Sequence, residues 1–264
     1  MIVRKVKQLN GHSGCKVFLM KTSTGLFVRK TSAGVDYNHR LKKQMKKQCN
    51  FVSQGVRTPS VINEGYDQDL YWYDMDFING KMFTRFMEHS DRRTASKYFE
   101  KIFEFIKLNN NIDENIKEQI VKKINFLPIP SEYNYFKDYC LDFDWEKIQK
   151  SYCHGDLTFE NILISNGFIY FIDFLDSFAD SKIIDYSKIL QDVILGWSWR
   201  HDKINPYVRL VYVHDYMVNN ISNNEYEACK RMLILNILRI LPYCKTKEME
   251  YIIDSLDFLK RKVV

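Results

Sequence analysis

Apolar and polar positions change period several times along this chain. Residues 3–9, 17–21 and 26–30 form short β-prone runs, and Gly11, Ser13, Gly14 and then Ser23, Thr24 and Gly25 punctuate them, which predicts three strands joined by turns. No breaker interrupts residues 36–52, where Leu41, Met45, Gln48 and Phe51–Val52 recur at helical spacing; Gly55 and Pro59 end that helix. Two more strands, 60–64 and 70–77, precede a turn at Asn79–Gly80. From Met82 onward the pattern is predominantly helical, with helices expected at 82–89, 94–108 and 112–124, a loop at 126–131 and a helix at 145–150. A strand–turn–strand block over 151–174 follows, and then long amphipathic stretches at 208–220, 224–241 and 247–262.

This order predicts an α+β protein of two lobes: residues 1–79, a five-stranded antiparallel sheet with one helix inserted after the third strand, and residues 80–264, mainly helical. No internal repeat, low-complexity tract or flexible linker separates them, so the boundary near Gly80 reads as a hinge between packed lobes. With 264 residues, 45% hydrophobic and 15% aromatic, the chain has material for a sizeable core. Its N-terminus lacks an apolar signal segment and its longest apolar runs fall far short of a membrane span, which predicts a cytoplasmic protein without membrane insertion. The six cysteines are scattered, with no CxxC pair and no Cys/His cluster, against zinc and against a disulfide framework. The net charge of +6 concentrates in one helical stretch, Arg40 to Lys47; without a nucleic-acid-binding motif it reads as a solvated face with attraction for nucleotide phosphates.

The informative chemistry lies in His154-Gly155-Asp156-Leu157-Thr158-Phe159-Glu160-Asn161, then an apolar strand, a turn at Asn166–Gly167, and Ile172-Asp173-Phe174. Phosphoryl transfer requires an oriented hydroxyl, a metal on the phosphates and positive charge where negative charge develops. Asp156 at the head of the loop suits the attacking hydroxyl. Five positions on, the Asn161 amide oxygen is a magnesium ligand of the right hardness, and a hairpin returns a second one, Asp173, 17 positions after Asp156.

HGDxxxxN followed by an apolar hairpin and IDF resembles the aminoglycoside phosphotransferase and choline kinase group, distant relatives of protein kinases, whose matching elements are HRDxxxxN and DFG. The resemblance implies a bilobal protein-kinase-like fold, with residues 1–79 as the nucleotide-binding lobe and 80–264 as the catalytic and acceptor-binding lobe. It implies ATP as donor, with GTP as the alternative, and Mg²⁺. A phosphate-covering loop is expected at Ser13 and Gly14, and a phosphate-binding cation at the end of the third strand. Lys30 is favoured because Val28 would share its face, with Arg29 left open. The following helix should pair a glutamate with that cation, yet residues 36–51 hold none; Gln44 or Gln48 takes the place. Asp76, Phe77 and Ile78 correspond to the segment that reads the adenine edge, and Asp185 to an aspartate that braces the catalytic loop.

The expected partner is a small-molecule hydroxyl acceptor, a sugar or an amino alcohol such as choline, in surface-glycan synthesis. Asp176, Trp197 and Trp199 are its candidate contacts by position, the tryptophans as a cation-π cage, a sugar platform or core. The alternatives are an aminoglycoside kinase, for which the second lobe lacks marked acidity, a protein kinase, for which the segment after Asp173 is short, and a catalytically weak nucleotide-binding module.

Overall fold

A strand whose side chains alternate between a covered and an open face should read buried at every second position. The third strand does so: Val28 and Lys30 are buried while Phe27, Arg29 and Thr31 are partly open. The structure, a computed structural model, describes residues 3–9, 14–51, 55–108, 111–202, 206–244 and 246–262. Strands β1 (Arg4–Leu9), β2 (Lys16–Lys21) and β3 (Leu26–Thr31) lead into helix α1 (Asn38–Cys49), a two-residue β4 (Val56–Arg57), β5 (Val61–Asp67), β6 (Leu70–Asp76) and a two-residue β7 (Lys81–Met82). The chain continues through α2 (Phe83–His89), α3 (Arg92–Lys107), β8 (Asn111–Asn115), α4 (Lys117–Asn125), α5 (Asn134–Leu141) and β9 (Gln149–Ser151) to the hairpin β10 (Ile162–Ser165) and β11 (Phe168–Phe171). It ends in α6 (Lys182–Leu195), α7 (Tyr207–Asn220), α8 (Asn223–Ile240) and α9 (Thr246–Lys262).

These elements fold as two compact units, Met1–Met82 with Asn161–Asp176, and Phe83–Glu160 with Ser177–Val264. In the first unit a five-stranded antiparallel sheet runs in the order β1-β2-β3-β6-β5. Gln68 and Asp69 both take positive φ, 45° and 66°, as a two-residue turn between twisted strands needs, and Asn166 and Gly167 do the same for β10–β11 at 48° and 81°. Helix α1 buries Leu41, Gln44, Met45 and Gln48, a single helical stripe. Leu41 and Met45 join Leu19, Val28, Tyr71, Tyr73 and Met75 in one core. A second sheet, β4-β11-β10-β7, brings the late hairpin into this unit. Gly80 permits the approach: a Cβ there would lie 2.9 Å from the Ile164 carbonyl oxygen.

In the second unit α6 and α8 are buried along most of their lengths and joined by a hydrogen bond from Asn236 to the Ser187 hydroxyl (3.0 Å). Each begins on a serine cap, Ser181 and Ser222, the latter in a capping box with Glu225. Two sequence expectations need correction here, and one helix was not anticipated. The helix expected over 112–124 starts only at Lys117, because residues 111–115 pair with β9 and leave Ile112 exposed while Ile116, Ile120 and Ile124 are buried. Residues 145–150 form one tight turn, Trp145–Lys147, and then β9. Helix α5, unforeseen, buries Phe136 and Cys140 one turn apart. In all three, tertiary partners override local propensity. No described helix is long and apolar enough to cross a membrane.

Candidate active site

The first unit assembles the residues expected to meet a nucleotide. Lys30, at the buried end of β3, forms an ion pair with Asp173. Burial works against the Lys30 charge, but the adjacent Asp173 carboxylate overrides it and holds the amine above the ordinary lysine range. Asp173 follows β11 in the left-handed region, at φ 63°, a conformation that aspartate tolerates better than most residues. Its backbone is pinned from both sides, since Phe171 and Phe174 pack on Phe51 with ring centroids 6.0 and 5.3 Å apart. Beyond it, α1 supplies Lys47 to the Leu175 carbonyl (3.2 Å) and Lys43 to Asp176 (3.9 Å). The Ile172 amide donates to the Asn161 carbonyl (3.0 Å), which sets Asn161 and Asp173 at the same end of the hairpin.

Arg29 projects the other way. Its guanidinium forks onto Asp74 of β6 at 2.7 and 2.8 Å and stacks over Trp72, 3.9 Å from the ring centre. Gln48 donates to the Pro59 carbonyl (2.7 Å), and Gln44 donates to the Tyr37 hydroxyl (3.2 Å) while its buried Oε1 has no hydrogen-bond partner among the described residues. The lysine therefore faces Asp173, the aspartate that follows β11. Gly14 takes φ 76°, a left-handed value suited to glycine; Ser13 lies outside the described residues. Asp76 ends β6 with its carboxylate accepting from the Ser60 amide (3.3 Å), Phe77 packs against the core of this unit, and the Ile78 carbonyl accepts from Gly80 (3.0 Å).

The second unit holds Asp156 on a turn whose backbone is fixed by buried carboxylates. Gly155 takes φ 93°, and the amides of His154 and Gly155 both donate to Asp185, at 2.7 and 2.8 Å. The His154 ring is a brace as well, with Nδ1 accepting from the Asp156 amide (3.2 Å). Farther along, the Phe159 amide donates to Asp192 (2.6 Å), which also accepts from Ser198 (2.9 Å). The Asp156 side chain itself remains a third exposed and meets the Lys188 ammonium at 2.9 Å. Burial alone would raise its pKa; Lys188, with His154 and Arg239, more than compensates and keeps the carboxyl below the ordinary carboxylate range.

Of the candidate acceptor contacts, Asp176 belongs to the first unit, paired with Lys43, and the tryptophans to the second. Trp199 is buried, donates to Glu88 (2.7 Å) and lies edge-on to Phe159. Trp197 is partly open, but the Arg200 guanidinium covers its ring at 4.3 Å. Lys188 and Asp192 were missed by sequence reading. The signal was present: charged residues at 185, 188 and 192 recur on one helical stripe.

Asn161 and Asp173 offer the hard oxygen donors that magnesium prefers, and Asp173 already holds a cation, the Lys30 ammonium. Among the described residues no group of three or more His, Cys, Asp or Glu side chains is placed to hold a metal, so these two oxygens would leave most of a coordination shell to phosphate and water.

Elements so arranged make a protein-kinase-like fold, and solved structures share it along the whole chain. The aminoglycoside phosphotransferase APH(4)-Ia is similar at a TM-score of 0.71 and 13% identity, over 100% of this chain and 95% of that one. A thermostable mutant of it, crystallised in a ternary complex with ADP and hygromycin B, gives 0.71 at 12% identity, covering 99% and 95%. Choline kinase LicA from Streptococcus pneumoniae gives 0.61 at 12% identity, covering 99% and 94%. No protein-family model and no curated protein sequence matches the chain.

Proposed function

We propose that this protein is an ATP- and magnesium-dependent phosphotransferase that moves the γ-phosphoryl group to a hydroxyl of a small molecule. The observation that carries the reading is Asp156: a carboxylate held ionised despite burial, a third open, on a turn that three buried acceptor contacts keep in one shape. Such a group accepts the proton of an attacking hydroxyl. Its fold neighbours include a kinase captured with ADP and hygromycin B and a choline kinase.

In this reading the first unit is the nucleotide half and the second the acceptor half. Lys30 would donate to the nucleotide phosphates, Gly14 would let backbone approach them, and residues 76–78 would read the base. Asn161 and Asp173 would hold magnesium, which when bound neutralises charge on the phosphates. Arg29 is assigned to structure, because Asp74 and Trp72 already occupy its donors and its face.

Among acceptors, a neutral sugar hydroxyl fits better than choline or an aminoglycoside. Arg200 covers the Trp197 face that a quaternary ammonium would need, and Glu160 and Glu88 are engaged by Arg200 (3.1 Å) and Arg85 (2.7 Å). A protein substrate is disfavoured by the short run from Asp173 to the start of α6 at Lys182.

The test is magnesium-dependent ADP release in the presence of sugars, aminoglycosides, choline and ethanolamine, with Asp156→Asn as control. Stimulation of the wild type by a sugar, absent in the variant, is the expected result. Equal rates in both with every acceptor would refute the assignment.

A further inference from the structure

One stripe of α6 addresses the 154–160 turn three times in succession. Asp185 takes the amides of His154 and Gly155, Lys188 takes the carboxylate of Asp156, and Asp192 takes the amide of Phe159. The spacing, i, i+3 and i+7, is that of neighbours along one helical face. All three residues are buried, among isoleucine, leucine and tyrosine side chains and the uncharged polar Ser187 and Gln191 of the same helix. A charged stripe inside a core is costly unless each member is paired. Here each pairs with the same turn.

The two aspartates bind backbone and so shape the turn. Lys188 differs, because it binds the one side chain there proposed to touch the acceptor. The residues of that turn, His154 to Glu160, include no lysine or arginine, so this cation comes from the helix behind. We infer that Lys188 is a positioning residue for phosphoryl transfer, holding the Asp156 carboxylate in one orientation and in its charged form for the incoming hydroxyl. A lysine ammonium suits the task because it is a compact charge whose three donors tolerate small shifts of the carboxylate as a proton arrives. Removing it leaves a buried carboxylate without its nearest counter-charge, which protonates or swings away, and either change lowers the rate without touching the nucleotide half.

This inference rests on the proposed function, and its test separates the two. Magnesium-dependent ADP release from ATP, with water as acceptor, is measured for wild type, Lys188→Met, Lys188→Arg, Asp156→Asn and Asp156→Asn/Lys188→Met, alongside the KM for MgATP and the denaturant midpoint. Lys188→Met is expected to lower kcat about 10- to 100-fold, with KM for ATP within about twofold, and Lys188→Arg to recover much of it. In the Asp156→Asn background, Lys188→Met is expected to cost little more, since the residue acts through that carboxylate. A merely structural lysine would move the midpoint but leave kcat per folded molecule intact, or would add its full effect in both backgrounds; either result overturns the inference. Should Lys188→Met fold poorly alone, the double variant, which removes both charges, provides the folded comparison with Asp156→Asn. A wild type and an Asp156→Asn variant of equal rate would instead refute the functional reading itself.

Discussion

Each unit sets a buried lysine against a more open aspartate, and the proposed reaction would use the lysine of one pair and the aspartate of the other. Lys30 is 3% exposed and Asp173 39%; Lys188 is 11% exposed and Asp156 33%. Asp173 outweighs the penalty of burial and holds Lys30 above the ordinary lysine range. Lys188, with His154 and Arg239, holds the Asp156 carboxyl below the ordinary carboxylate range. In the proposed reaction the cation of the first pair would serve a phosphate and the anion of the second a hydroxyl proton. Asp185 and Asp192 differ from both: fully buried and satisfied by backbone amides, they hold shape.

Substitutions can break this comparison at either end. Lys30→Met is expected to lower turnover about 100- to 1,000-fold and to weaken nucleotide binding, as removal of a preorganised donor to developing charge does. Arg29→Met should leave turnover near wild type while lowering stability by roughly 1–3 kcal/mol, through loss of the fork onto Asp74. Steady-state kinetics with urea unfolding distinguishes them, and a larger kinetic loss from Arg29 would exchange their roles.

Asp185→Ala leaves two buried amides without an acceptor, at about 1–3 kcal/mol each, and should loosen the turn that carries Asp156. Hydrogen exchange at His154 and Gly155 should rise with the loss of stability. Unchanged protection would show that Asp185 does not brace the turn.

A smaller effect concerns pH. Burial pushes Asp192 up to about 7 against the pull of its amide donors. The folded chain thus keeps a proton that the unfolded chain releases near about pH 4. The stability this group contributes is present below that value and is lost as the pH rises through the folded pKa of about 7. Asp192→Asn is expected to flatten the slope of stability over this window, by at most about 1.4 kcal/mol per pH unit. Smallest of all, Gly80→Ala should cost roughly 1–2 kcal/mol by pushing β10 from the Gly80 backbone, readable as a lower denaturant midpoint with kinetics intact.

Much of the first unit was legible in the chain because its signals are local. The β-prone runs and the turn at Asn166–Gly167 fall where the structure has strands and a left-handed pair. Asp156, Asn161 and Asp173 stood out because their spacing is itself a motif. What escaped depends on distant partners. Asp185 was expected as a brace of the catalytic loop, but Lys188 and Asp192 belong to no motif, and only packing shows them buried on the 154–160 turn. Trp197 and Trp199 leave a cage, a sugar platform and core packing open until Arg200 and Glu88 are seen to hold them. The strand at 111–115 is likewise fixed by β9, a partner 34 or more residues away.

The account's central claim is that Asp156 serves the acceptor while Lys30 serves the nucleotide. The most direct test is calorimetric MgATP affinity and acceptor-stimulated ADP release, measured together on Asp156→Asn. The account predicts affinity within about twofold of wild type and turnover lower by about 100- to 10,000-fold. Turnover retained, or affinity and turnover lost together, would contradict it.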